Sequence, residues 1–128
     1  MSPVTAKWTS LLPFVSVAAA ATLFVGCGED RDSSRPMTRG EQITLDNGCT
    51  ACHGANGEGG AGPAWKGLAG SEVQLSDGST VTADDAYLTE AIRDPSATSV
   101  KGYGAMPKNS LSDEEIAAVV AYINTLQK

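Results

Sequence analysis

Five consecutive residues, Cys49-Thr50-Ala51-Cys52-His53, carry the side chains best suited to chemistry in this 128-residue chain. Two thiols three positions apart reach neighbouring vinyl groups on one edge of a porphyrin and can add to them as thioethers. The histidine directly after the second thiol then lies under the iron, where a neutral imidazole nitrogen binds. The C-x-x-C-H pattern is therefore the signature of covalent attachment of one c-type haem, with Cys49 and Cys52 as tethers and His53 as an iron ligand. His53 is the only histidine in the chain, so no other residue competes for that role. Two other chemistries use the same cysteines. A redox dithiol usually opens a helix after a strand of a βαβ unit, and nothing strand-like precedes Cys49. A zinc ion takes four ligands, mostly Cys or His, and no second Cys/His cluster is present to supply them.

Short elements must hold this stretch in place. Thr38 with Glu41 three residues later forms a capping box at a helix start. That helix has little apolar surface (Ile43 and Leu45 with Met37), so it is short and depends on docking. It ends at Asn47-Gly48, where glycine takes up the left-handed conformation. Gly54 to Gly62 holds five glycines in nine residues, which predicts backbone packed close to a porphyrin edge. Trp65 and Leu68 follow as apolar walls, Trp65 by packing alone. Val73 to Val81 alternates around Asp77-Gly78, the signal of a two-residue hairpin. A second capped helix begins at Thr82 with Asp85, carries Tyr87, Leu88, Ala91 and Ile92, and stops at Asp94-Pro95. Residues 96–109 have no periodicity. The last helix is the clearest, with Ser112 and Glu115 as a capping box and an apolar stripe of Ile116, Val119, Val120, Ile123 and Leu126. Its acidic first turn, Asp113 to Glu115, suits the helix dipole.

The N-terminal part is of another kind. Leu11 to Val25 is an apolar run preceded by a single charge, Lys7, and followed by Gly26-Cys27. That is the layout of a secretory signal, and Leu23 to Cys27 resembles a bacterial lipobox, in which Cys27 is diacylated and becomes the mature N-terminus. An uncleaved membrane anchor is the other reading. Either way the protein is held at a membrane outside the cytoplasm, and two acyl chains suffice for stable anchoring. One cysteine for lipid and two for haem account for all three. Gly28 to Pro36 is polar and charged, a linker whose nine residues reach about 30 Å. The expected organisation is residues 1–26 as lipoprotein signal peptide, 27–36 as lipid-anchored linker, and 37–128 as one haem domain. Removal of Lys7 leaves eight basic residues against fifteen acidic ones, net −7. A nucleic-acid partner is excluded at that sign.

Taken together, residues 40–126 resemble a class I monohaem cytochrome c. They are most similar to the haem-carrying C-terminal domain of bacterial cytochrome c oxidase subunit II. The resemblance is carried by Gly40-Glu41-Gln42-Ile43, the haem pentapeptide, Gly62-Pro63, Gly67-Leu68-Ala69-Gly70, the Ser71 to Thr82 hairpin and Asp94-Pro95. It continues through Lys101-Gly102-Tyr103 with Met106-Pro107 and the stretch from Leu111 to Ile123. The copper domain and membrane helices of that subunit are absent, which implies a free-standing relative. The implied fold is all-α, a small cytochrome c fold of three to four helices around a covalent haem with one short β-hairpin insertion. The implied iron ligands are His53 and Met106, with the Pro63 carbonyl orienting the His53 ring. Met106 also stands out by elimination. Met1 leaves with the signal and Met37 opens the first helix, whereas Met106 lies in a long irregular loop. Where Thr44 stands the family often has an aromatic, so the first helix is expected to pack less strongly on the last.

The resemblance implies a membrane-anchored single-electron carrier of a respiratory chain, not an enzyme. Iron held by His and Met has no vacant site for a small-molecule substrate. The implied partners are redox proteins, a donor complex and a terminal oxidase or reductase. The implied location is the cell envelope, facing the periplasm or exterior. A fixed haem subunit of an oxidase complex and an open-site peroxidase or gas sensor stand as alternatives. Lys66, Lys101 and Lys108 fall in loops expected to ring the haem edge, forming a basic rim for docking or simply three solvated lysines.

Overall fold

The computed structural model describes residues 35–126. The expected signal segment, Cys27 as the expected lipid site and most of the expected linker lie outside them. The described chain folds as helix α1 (Arg39–Asp46), the single turn α2 (Thr50–His53), strands β1 (Glu72–Gln74) and β2 (Thr80–Thr82), helix α3 (Asp85–Arg93) and helix α4 (Asp113–Thr125). Among the described residues no helix is long and apolar enough to cross a membrane.

Helix α1 starts where the sequence places it. The Thr38 hydroxyl accepts from the Glu41 N–H at 3.1 Å, and Gly48 closes the helix at φ 69°. The second half of the expected box is replaced, because the buried Glu41 carboxylate accepts from Arg35 at 2.9 Å instead. Helix α4 has its full capping box and buries Ile116, Val119, Val120, Tyr122 and Ile123. The weak α1–α4 contact expected from Thr44 is not what the packing looks like. Thr44 is fully buried, its hydroxyl donating to the Glu41 carbonyl at 2.7 Å. At Gly40 the helices approach so closely that a Cβ would run into the Ala118 carbonyl oxygen.

Helices α3 and α4 lie antiparallel, pinned at both ends. Asn124 donates to Asp85 at 2.8 Å at one end, and Arg93 pairs with Asp113 at 2.8 Å at the other. Both bonds are solvent-exposed and contribute orientation more than stability. The apolar side chains of Ile43, Leu88, Ile92 and the α4 stripe, with Trp65 and Val73, form one continuous core.

Two local expectations need correction. Helix α3 is capped by Asp84, whose carboxylate accepts from the Tyr87 N–H at 2.8 Å, rather than by Thr82. Thr82 is the last residue of β2, opposite Glu72, and the Ala83 N–H donates to Ser71 at 2.8 Å. Strand pairing therefore holds the chain extended past the first candidate cap. In the hairpin, the register pairs Gln74 with Thr80 and the Leu75 N–H donates to Ser79 at 2.9 Å. The loop is thus three residues, Ser76-Asp77-Gly78, with Gly78 at φ 91°. This is the turn-plus-bulge connection rather than the two-residue one.

Candidate cofactor site

A cavity of about 370 Å³ lies between α3, α4 and the loops, within the range of cofactor sites (about 300–1,000 Å³). Cys49, Cys52 and His53 lie on its wall, and so does Met106, more than fifty residues later in the chain. Most of the remaining wall is apolar, including Leu68, Val73, Leu88, Ile92 and Val119. All the residues expected to hold haem are therefore brought to one space, while Met37 is half exposed on the surface and absent from the wall.

His53 is fixed from three directions. Its Nδ1–H donates to the Pro63 carbonyl at 2.8 Å, which places the proton on Nδ1 and leaves the Nε2 lone pair available. Trp65 stacks on the ring with centroids 4.6 Å apart and planes 18° from parallel. Gly62 closes the third side, since a Cβ there would lie 2.9 Å from Cε1. The glycine-rich stretch thus makes room at this position for the imidazole. Trp65 does more than fill space, because it also meets Tyr122 edge-on at 6.4 Å and so ties the ring to α4. Burial pushes the His53 pKa down, with the Pro63 bond opposing it, so the ring is neutral at pH 7, the form that binds metal.

The cysteines are half-buried free thiols. Burial pushes the Cys49 pKa up and the neighbouring Cys52 adds to the rise. A redox dithiol is set up in the opposite sense, with a lowered thiol pKa. Among the described residues no group of three or more His, Cys, Asp or Glu could hold a metal ion, so a zinc site has no further ligands. An apolar slot with two unpaired thiols, one oriented imidazole and one thioether suits a haem. Thr98, also on the wall, has a buried hydroxyl oxygen with no partner among the described residues, which a polar substituent of a bound group would satisfy.

Residues 37–127 match the family model described as Cytochrome c. The chain belongs to the cytochrome c family. Membership implies a covalently bound haem c and an electron carrier, and the fold of several helices with a small two-stranded sheet agrees with it. Among solved structures the chain is similar to cytochrome cH from Methylobacterium extorquens, at 25% identity and a TM-score of 0.53. That match covers 68% of this chain and 95% of the other. None of the curated proteins matches.

Met106 belongs to a loop rather than to a helix. From Lys101 to Ser110 it alone is not exposed. Asn109 secures the loop by donating from Nδ2 to the Ile92 carbonyl at the end of α3, at 2.7 Å. No sequence signal pointed to this bond or to the Trp65 stack. Asp94-Pro95, expected to stop α3, also supplies the buried Pro95 to the cavity wall. Of the three lysines, Lys66 is near enough to Glu58, and Lys108 to Asp94, to help hold those carboxyls below their ordinary range. Lys101 reaches the Gln74 amide oxygen at 3.4 Å. The basic rim is partly offset by acids.

Proposed function

We propose that this cytochrome c is a membrane-tethered single-electron carrier of a respiratory chain, working between a donor complex and a terminal oxidase or reductase. Cys49 and Cys52 hold one haem c. Their thiols would form its two thioether links. His53 would bind the iron through Nε2 while Pro63 accepts its Nδ1–H, and Met106 would supply the second protein ligand. When bound, the haem would supply one reversible electron. The observation that carries this reading is that the C-x-x-C-H turn and Met106, the one residue of the 101–110 loop that is not exposed, line one apolar cavity.

The chain's own residues do the rest. Trp65, Gly62 and Pro63 hold the imidazole in one orientation and tautomer, so little rearrangement accompanies a change of charge. The apolar wall lowers the local dielectric and disfavours the more highly charged oxidised centre. Cys27 carries the lipid, residues 28–36 form the tether, and the protein faces the periplasm or exterior. Its haem domain is related to that of oxidase subunit II.

The test is the absorption spectrum of the holoprotein, purified after expression with a haem-maturation system. A reduced α-band typical of two thioethers is expected, with a far-red sulfur-to-iron band when oxidised. Reduced protein is expected not to bind carbon monoxide at neutral pH. A colourless product refutes the haem. Ready binding of carbon monoxide refutes Met106 as ligand.

A further inference from the structure

We propose that the β-hairpin is a positioning device for the sixth iron ligand. Residues 99–101 are bridged to it, and Ser76 is the positioning residue at that joint. This role presupposes Met106 as the distal ligand.

The first arm of the hairpin, β1 and the two residues after it, is hydrogen-bonded on both edges. One edge carries β2. On the other, the Ser76 N–H donates to the Ser99 carbonyl at 2.8 Å and the Lys101 N–H donates to the Gln74 carbonyl at 2.9 Å. Leu75 and Val100 face each other between these two bonds as an antiparallel pair, the kind that brings side chains closest. Both pack on the core, and Val100 lines the cavity. The joint therefore ties a rigid element to the start of the ligand loop across about 25 residues of sequence. The far end of the loop is tied by Asn109 to α3.

Between these two anchors the chain has little support of its own. The Tyr103 N–H closes a turn onto Val100 at 3.2 Å, with Gly102 at φ 87°. The amides of Gly104, Ala105, Met106 and Lys108 find no backbone carbonyl among the described residues. Yet Met106 is half-buried on the cavity wall while its neighbours in the loop are exposed. A segment without internal bonds takes its direction from its ends, and the hairpin supplies one of them.

Ser76 allows a clean test. It is the first central residue of the turn closed by the Gly78 N–H onto the Leu75 carbonyl at 3.1 Å, a position that favours proline. Ser76→Pro removes the donor to Ser99 while suiting the turn, and Ser76→Ala keeps that donor. In the oxidised holoprotein, loss of one net hydrogen bond shifts the equilibrium about fivefold towards detached Met106. The pH at which the far-red band disappears should then fall by about 0.7 unit for a one-proton displacement. Ser76→Ala should leave it unchanged. The thioether α-band is expected to persist in both.

If the wild type shows the band and Ser76→Pro tracks Ser76→Ala, the hairpin has no such role. A wild type without the band overturns Met106 as ligand, and this role with it, whatever the variants do. Should Ser76→Pro fail to retain haem, hydrogen exchange on the wild-type holoprotein decides instead. The Ser76 and Lys101 amides should exchange far more slowly than those of Gly104 and Ala105. Equal rates overturn the proposal.

Discussion

Gly62→Ala should strain the imidazole on which the site is built. A Cβ at this position would lie 2.9 Å from Cε1 of His53, 3.1 Å from Nδ1 and 3.2 Å from Nε2. Ordinary carbon contacts begin near 3.5 Å, so the ring has to yield about half an ångström. It is poorly placed to do so. Its Nδ1–H is committed to Pro63 at 2.8 Å, and Trp65 is stacked on one face at 4.6 Å. Gly62 is not among the residues with positive φ, so alanine suits the backbone and the imidazole contact is the source of strain. Overpacking of this kind costs about 1–3 kcal/mol. For a domain of this size each kcal/mol is worth about 4–8 °C. The melting temperature of the oxidised holoprotein, followed by far-ultraviolet circular dichroism, should therefore fall by roughly 5–20 °C. The reduction potential should move with it, because the ring that shifts is the proposed ligand. A variant that melts within about 2 °C of the wild type, with an unchanged potential, refutes the clamped imidazole.

Ser112→Ala removes the acceptor of the Glu115 N–H at the start of α4 and should cost about 1 kcal/mol. Thermal melting should show it as a fall of about 4–8 °C, with the visible spectrum unchanged. Stability should also decline on acidification. Hydrogen bonds hold Glu58, Asp77, Asp94 and Glu115 below their ordinary values, so the unfolded chain binds these protons more readily and stability present at neutral pH is lost once pH drops below about 4.5. Denaturant unfolding of the holoprotein across pH 7 to 3 measures this, and a flat profile contradicts it. Reversing Lys66, Lys101 and Lys108 to Glu should slow electron transfer to an acidic partner by about tenfold or more at low salt. Since Glu58 and Asp94 already offset two of the three, Lys101→Glu alone should account for most of the effect. Stopped-flow rates against ionic strength decide, and no change in rate or salt slope removes the docking rim.

What could be read from the sequence was local. Thr38, Ser112 and Gly48 act on residues three or four positions away, so their types alone place α1 and α4. The cofactor tether is a pentapeptide, and the Pro63 carbonyl lies ten residues from His53, within reach of a family resemblance. The errors arise where a distant partner overrides a local signal. Thr82 carries a plausible cap, but pairing with Glu72 keeps it extended, and the cap passes to Asp84. Asp77-Gly78 suggests a tight turn, but the Leu75–Ser79 bond makes the loop one residue longer. The Glu41 carboxylate turns to Arg35 because that guanidinium brings a charge to a buried site, which the Thr38 N–H does not.

The same division separates the two halves of the cofactor site. The His53 half is built from residues 49–65, close in sequence, and is held by a hydrogen bond, a stacked ring and a glycine that leaves no slack. The Met106 half depends on contacts between residues 74–76 and 99–101 and between Ile92 and Asn109, none of which has a sequence signature. Its own segment is nearly free of backbone bonds. Bringing a thioether to a fixed iron does not require a rigid loop if the loop's two ends are rigid. With Met106 as the proposed distal ligand, that arrangement leaves ligand strength adjustable from outside the cavity. Substitutions in the hairpin or at the end of α3 are then expected to retune the distal bond without touching the haem attachment, whereas substitutions around His53 cannot avoid it.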